Sequence, residues 1–205
     1  MMKTTSLKQT VSVALLSAIA FLIMVFSFPM PLFPVFLTLD FSDVPAIVGT
    51  IMFGPVAGIV IEGLKNLLHY LLIGSATGVP VGELANFIAG SLLIVTGTWI
   101  YRKRKTTGSL IGGLLFGTVI MTIVMSIANY FIIFPSYAMF LGFGIDQAVA
   151  AANAANHSIH NLLTLIVFAV LPFNLLKGII LTVIIIPIYI RLRPRLGAMT
   201  LPKVR

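Results

Sequence analysis

Cysteine is absent from this chain and acidic residues are scarce, five in 205 against thirteen lysines and arginines. Without cysteine there is no disulfide framework, no thiolate metal site and no thiol nucleophile. Charged residues make up 9% of the chain and hydrophobic ones 59%, too little polarity to cover a water-facing surface, so a soluble globular domain is excluded. A Gly-x-x-x-x-Gly-Lys-Ser/Thr phosphate loop is missing, and any ATP hydrolysis that serves this protein therefore belongs to another chain. No serine stands in a Gly-x-Ser-x-Gly setting and no two aspartates share a plausible plane within the membrane, which argues against an intramembrane hydrolase. His157 and His160 have no cysteine and no carboxylate nearer than Asp146, so neither a metal site nor a catalytic residue is assigned.

What the chain does have is a strict placement of positive charge. Only Lys65 and Lys177 fall inside apolar segments. The remaining cations are Lys3 and Lys8, the run Arg102–Lys103–Arg104–Lys105, Arg191, Arg193 and Arg195, and Lys203 and Arg205. These short clusters flank apolar stretches, the pattern of topology determinants and not of a nucleic-acid surface. Their spacing predicts a multi-pass protein of the cell membrane with both termini and the 102–105 loop on the cytoplasmic side.

The apolar pattern predicts an all-α membrane protein with six transmembrane helices in a single domain, over about 7–28, 41–53, 56–73, 81–101, 109–134 and 161–190. The first is too long for a signal-peptide core and lacks a small-residue cleavage site, so it reads as a retained helix. Pro29, Pro31 and Pro34 then forbid regular helix in an apolar outer loop, 29–40, which either dips into the headgroups or covers something as a lid. Ser42 and Asp43 are N-cap candidates for the second helix, and Gly54–Pro55 is its terminator. Pro135 is expected to stop the fifth helix; 136–160 forms an outer loop with a short interfacial helix.

Ionisable groups at lipid depth need a partner or a purpose. Glu62, Lys65, Asn66 and His69 form one stripe, in which Glu62 and Lys65 can pair at i, i+3; this stripe is not read as the ligand site. Thr118, Thr122 and Ser126 read as packing positions. Asp40, Glu83, Asn129, Asn174 and Lys177 come from four different segments yet converge on the outer half of the bundle, beneath the proline-rich loop. Lys177 has no acid within one turn, so it must pair across helices, with Glu83 as one structural option, or with a ligand. A polar ligand pocket under an apolar lid accounts for the group best.

Three runs carry a resemblance: Leu39-Asp-Phe-Ser-Asp-Val-Pro-Ala-Ile-Val-Gly-Thr with Phe53-Gly-Pro-Val-Ala-Gly, then Lys65-Asn-Leu-Leu-His-Tyr, then Gly82-Glu-Leu-Ala-Asn-Phe-Ile-Ala-Gly. Over about residues 8 to 193 the chain resembles the riboflavin-specific substrate-binding (S) components of energy-coupling-factor (ECF) vitamin importers. The resemblance implies a non-enzymatic subunit that takes riboflavin from outside and joins a transmembrane coupling subunit and two cytoplasmic ATPases. It needs no cofactor, riboflavin being the transported ligand. It also implies that Ala14 and Ala18, an Ala-x-x-x-Ala pair on the first helix, meet the coupling subunit. Asn129 and Asn174 would then read the edges of the flavin ring, Lys177 would lie near a ring carbonyl, and Glu83 or Asp40 would accept hydroxyls. An S component for another vitamin and an autonomous carrier or channel are the alternatives. The almost purely aliphatic 178–190 stretch disfavours a continuous polar pore.

Overall fold

The computed structural model describes residues 7–75, 78–142 and 144–200, and the side chains among them except those of 141 and 195–200. Lys3, Lys203 and Arg205, and residues 76, 77 and 143 of the expected outer loops, lie outside that description.

Long helices dominate. The first, α1 (Leu7–Val25), ends earlier than the sequence pattern suggests, because Phe28–Pro29 (β1) leaves the helix to pair antiparallel with Thr38–Leu39 (β2). That two-residue ribbon closes the proline-rich loop into a flap. Then come α2 (Asp43–Phe53) and α3 (Pro55–Leu72), separated at Gly54, whose φ of 99° lies in the region that favours glycine. At about 1.5 Å per residue α2 reaches only about 16 Å, half a bilayer core. Next are α4 (Val81–Arg104) and α5 (Thr107–Ala128), whose start is closed by a Thr106/Ser109 capping box.

Pro135 does not stop this helix. A π-helical turn over Asn129–Ile133 widens the helix just before the ring, so Pro135 enters the first turn of α6 (Phe134–Leu141), where its missing N–H is tolerated. The outcome is one apolar rod, Thr107–Phe140. Outside it lies the short α7 (Ile145–Ala155), and α8 (Leu162–Leu165) then leads through a second π turn, Ile166–Val170, into α9 (Leu171–Thr200). Pro172 follows that π turn as Pro135 follows the other. Among the described residues, four helical stretches are long and apolar enough to span a membrane: Leu7–Val25, Val81–Arg104, Thr107–Phe140 and Leu162–Pro194.

The core runs along the bundle axis through Ala46, Ile47, Ile61, Leu93, Ile94, Leu114, Met121 and Leu181. The closest helix pair is α4 with α5, where a Cβ built on Gly113 would lie 2.1 Å from the Gly97 carbonyl oxygen. Small residues permit such backbone approach where lipid offers no hydrophobic drive for helix association. Thr118 packs against Gly178 of α9, the helix contact expected of that position. Outward faces carry large apolar side chains such as Leu15, Leu22, Phe116, Val119, Ile127 and Val183, which only a hydrocarbon surround covers.

Candidate functional site

Beneath the flap lies a cavity of about 530 Å³, well within the range of small-molecule sites. Every one of Asp40, Glu83, Asn129, Asn174 and Lys177 lines it. The elements bring them there by rotation as much as by depth: Glu83 sits one turn into α4, Asn129 begins the first π turn, and Asn174 and Lys177 share a face of α9 one turn beyond the second. π turns shift the register of everything that follows by one residue, and both of them border the cavity through Asn129, Ile133 and Val170.

The two asparagines are oriented by their own helices. Asn129 Nδ2 donates to the Met125 carbonyl at 2.8 Å and Asn174 Nδ2 to the Val170 carbonyl at 2.9 Å. Each amide plane is thereby held, and the carboxamide oxygen and second N–H of each have no partner among the described residues. A carboxamide fixed in this way offers one donor and one acceptor side by side, the pattern that reads the edge of a planar amide or imide.

Lys177 is neutralised across helices, and not by Glu83. Its Nζ lies 3.2 Å from Asp43 Oδ2 and 3.7 Å from Asp40 Oδ2. Asp43 also pairs with Lys65, whose Nζ donates to Ser42 Oγ at 2.8 Å and approaches Glu62 Oε2 at 2.8 Å. Ser42 donates through both its amide and its hydroxyl to Asp40 Oδ1. Ser42 does stand at the N-cap of α2 and Asp43 at its first position, but no side-chain cap bond forms: the Ser42 hydroxyl is shared between Asp40 and Lys65, and the Asp43 carboxylate is taken by the buried lysines. Five ionisable side chains from α2, α3, α9 and the β2–α2 link form one buried network. The i, i+3 pair of Glu62 and Lys65 is present, but Asp43 is the hub. Fully buried charges persist only when paired in this manner.

Glu83 has a different partner. His69 Nδ1 lies 3.2 Å from Glu83 Oε1, and both line the cavity nearer its outer end together with Tyr137. Asn86 Nδ2 reaches Asp40 Oδ2 at 3.4 Å from one turn deeper on α4. His69 shares the Glu62–Lys65 stripe, and nothing in the sequence separates it from that pair. Tyr137 lies beyond Pro135, where the sequence pattern predicts the fifth helix to end. Only the unbroken helix through Pro135 turns Tyr137 inward.

Of the two roles expected for this loop, the structure shows the covering one. Leu32 and Val35 are 89% and 73% exposed on its outer face, while Phe36, Leu37 and Thr38 line the cavity beneath. It is held by edge-to-face contacts, Phe33 on Phe173 with centroids 5.6 Å apart and Phe36 on Phe134 at 5.9 Å. The chamber thus combines aromatic and aliphatic walls with a small set of oriented amides and charges.

Known proteins share this arrangement of chain. The model of the ECF transporter substrate-specific component family matches residues 8–189. Riboflavin transporter FmnP of Bacillus subtilis (strain 168) is 45% identical over 187 residues, 91% of this chain and 93% of its own. Riboflavin transporter RibU of Staphylococcus aureus (strain TCH60) is 44% identical over 185 residues, 90% of each. A solved S component of a bacterial ECF transporter superposes with a TM-score of 0.72 at 40% identity, covering 92% of this chain and 97% of that one.

Proposed function

The chain belongs to the substrate-specific component family of ECF transporters, and from that membership we propose that its cavity captures riboflavin from the outer side of the cell membrane for hand-over through a coupling subunit energised by two cytoplasmic ATPases. The subunit binds and delivers; it performs no chemistry on its ligand. The observation that carries the reading is the cavity of about 530 Å³ in which two backbone-held carboxamides and a lysine meet aromatic walls, in a chain 45% and 44% identical to riboflavin transporters. A flavin ring is flat, apolar at one edge and imide-like at the other, and its chain is a polyol. Asn129 and Asn174 suit the imide edge, Lys177 a ring carbonyl, and Glu83 or Asp40 the hydroxyls.

The test is direct. Purified without its partners, the chain should carry or bind riboflavin and quench its fluorescence. Asn129→Ala and Asn174→Ala should each raise the dissociation constant roughly 5- to 150-fold, the effect of losing a buried hydrogen-bond partner of about 1–3 kcal/mol. Titrations indistinguishable from the wild type for both variants would place the ligand elsewhere, and saturable binding of a different vitamin in preference to riboflavin would change the substrate.

We further propose that the helices form one six-span transmembrane domain, α2 and α3 serving as the second and third spans, with both termini and the Arg102–Lys105 turn in the cytoplasm. Support comes from the absence of lysine and arginine from 29–40, 74–80 and 136–160. A cysteine placed at Ser75 should react with an impermeant thiol reagent on intact cells and one at Thr107 should not. The opposite labelling would invert the topology.

A further inference from the structure

Charge in this protein is polarised along the bundle. Four of its acidic residues, Asp40, Asp43, Glu62 and Glu83, belong to the cavity and the network beside it, and Asp146 lies on α7 outside the long helices. At the opposite end, Arg102, Lys103, Arg104 and Lys105 finish α4, and Arg191 and Arg193 lie near the end of α9, all six exposed. Tyr189 ties the two groups together: its hydroxyl donates to the Lys105 carbonyl at 3.3 Å and its ring packs edge-on against Tyr101 at 5.5 Å. No carboxylate lies at that end among the described residues, and none of the ion pairs there involves these six side chains. Among the described residues these six cations have no anionic partner, which leaves them open to one from outside the chain.

The direction from which it comes is marked by α4. Leu84, Ile88, Val95 and Trp99 are exposed and recur at helical spacing along one outward face, with Trp99 57% exposed. Lys103 is the next residue of that face, and its amine sits 4.1 Å from the centre of the Trp99 ring. A tryptophan at the end of a lipid-facing stripe, capped by a cation, is the arrangement found at headgroup depth. We propose that the end of the bundle opposite the cavity is a binding site for an anionic phospholipid, with the headgroup phosphate held by Lys103 and its basic neighbours on α4 and α9 and the lipid body lying along the Val95–Trp99 face. The inference does not depend on what the cavity holds.

Trp99 is the single tryptophan of the chain, so its fluorescence reports on this site alone. The full chain, free of cavity ligand, is titrated in detergent with brominated phosphatidylglycerol or brominated phosphatidylcholine. Phosphatidylglycerol should quench Trp99 saturably and at lower mole fraction, and raising the salt to about 1 M, where the Debye length falls to about 3 Å, should erase the difference. Lys103→Gln with Arg104→Gln should weaken the phosphatidylglycerol response about fivefold for each cation removed while leaving the phosphatidylcholine response and the melting temperature unchanged. Equal quenching by the two lipids, a preference indifferent to salt, or a preference that survives the double substitution in a folded variant would each overturn the proposal. So would a double variant that keeps its lipid preference but no longer copurifies with a coupling subunit, since the patch would then serve an acidic protein surface.

Discussion

Replacing Lys65 with methionine should remove about 3–5 kcal/mol of stability, enough to deplete the folded protein in the membrane. Lys65 is fully buried, and its amine contacts Asp43, Glu62 and Ser42 at once. Methionine fills similar volume, so packing is nearly kept while the charge balance of the network is lost. Asp43 would retain Lys177 at 3.2 Å, whereas Glu62, 0% exposed, would keep no ion-pair partner among the described residues. Adding Glu62→Gln should therefore recover a large part of the loss, since it removes the carboxylate that Lys65 alone serves. Thermal melts of the purified variants measure both steps. A Lys65→Met protein that melts with the wild type, or a double variant no better than the single one, would show that the network does not carry this stability.

Ala14→Trp or Ala18→Trp should abolish riboflavin uptake and leave riboflavin binding intact. Both alanines are exposed on the side of α1 that carries Leu7, Val11, Leu15 and Leu22, while Ser17, Ala20 and Met24 face the bundle. Neither alanine lines the cavity. A tryptophan there holds a partner helix away without disturbing the protein's own core, because close approach in lipid requires small residues on the contact face. The separation of the two readouts is the point: detergent titration should match the wild type, while cells should lose uptake and the variant should fail to copurify with a coupling subunit. Normal uptake by both variants would remove this face from the partner interface. Accumulation of flavin against a gradient by the wild-type chain reconstituted alone would remove the need for a partner.

Much of the candidate cavity's polar lining is legible in the sequence. Apolar length, proline and lysine placement decided the solvent of this protein, and helical rise then set the depth of each polar side chain. Asp40, Glu83, Asn129, Asn174 and Lys177 could be grouped on depth alone, because a polar residue at lipid depth has few places to go. The resemblance of the Leu39–Thr50, Lys65–Tyr70 and Gly82–Gly90 runs pointed to the family.

Pairing was another matter. Nothing in the sequence says that Lys177 is met by Asp43 and Asp40 and not by Glu83, or that Glu83 turns to His69, since each choice depends on how helices remote in sequence are rotated about their axes. The same holds for Asp43, which looks like a helix cap until two lysines from other helices arrive beside it. Pro135 departs from expectation for a local reason: whether a proline ends a helix or is absorbed by a π turn depends on a single shift of backbone hydrogen bonding, which no residue pattern around it marks. Composition and spacing thus determined that the chain lives in a membrane and which of its polar groups fall together along the helices. Tertiary structure decided which charges neutralise one another and which side chains face the cavity, because those follow from helix rotation and register, quantities with energies spread over contacts that no single stretch of sequence contains.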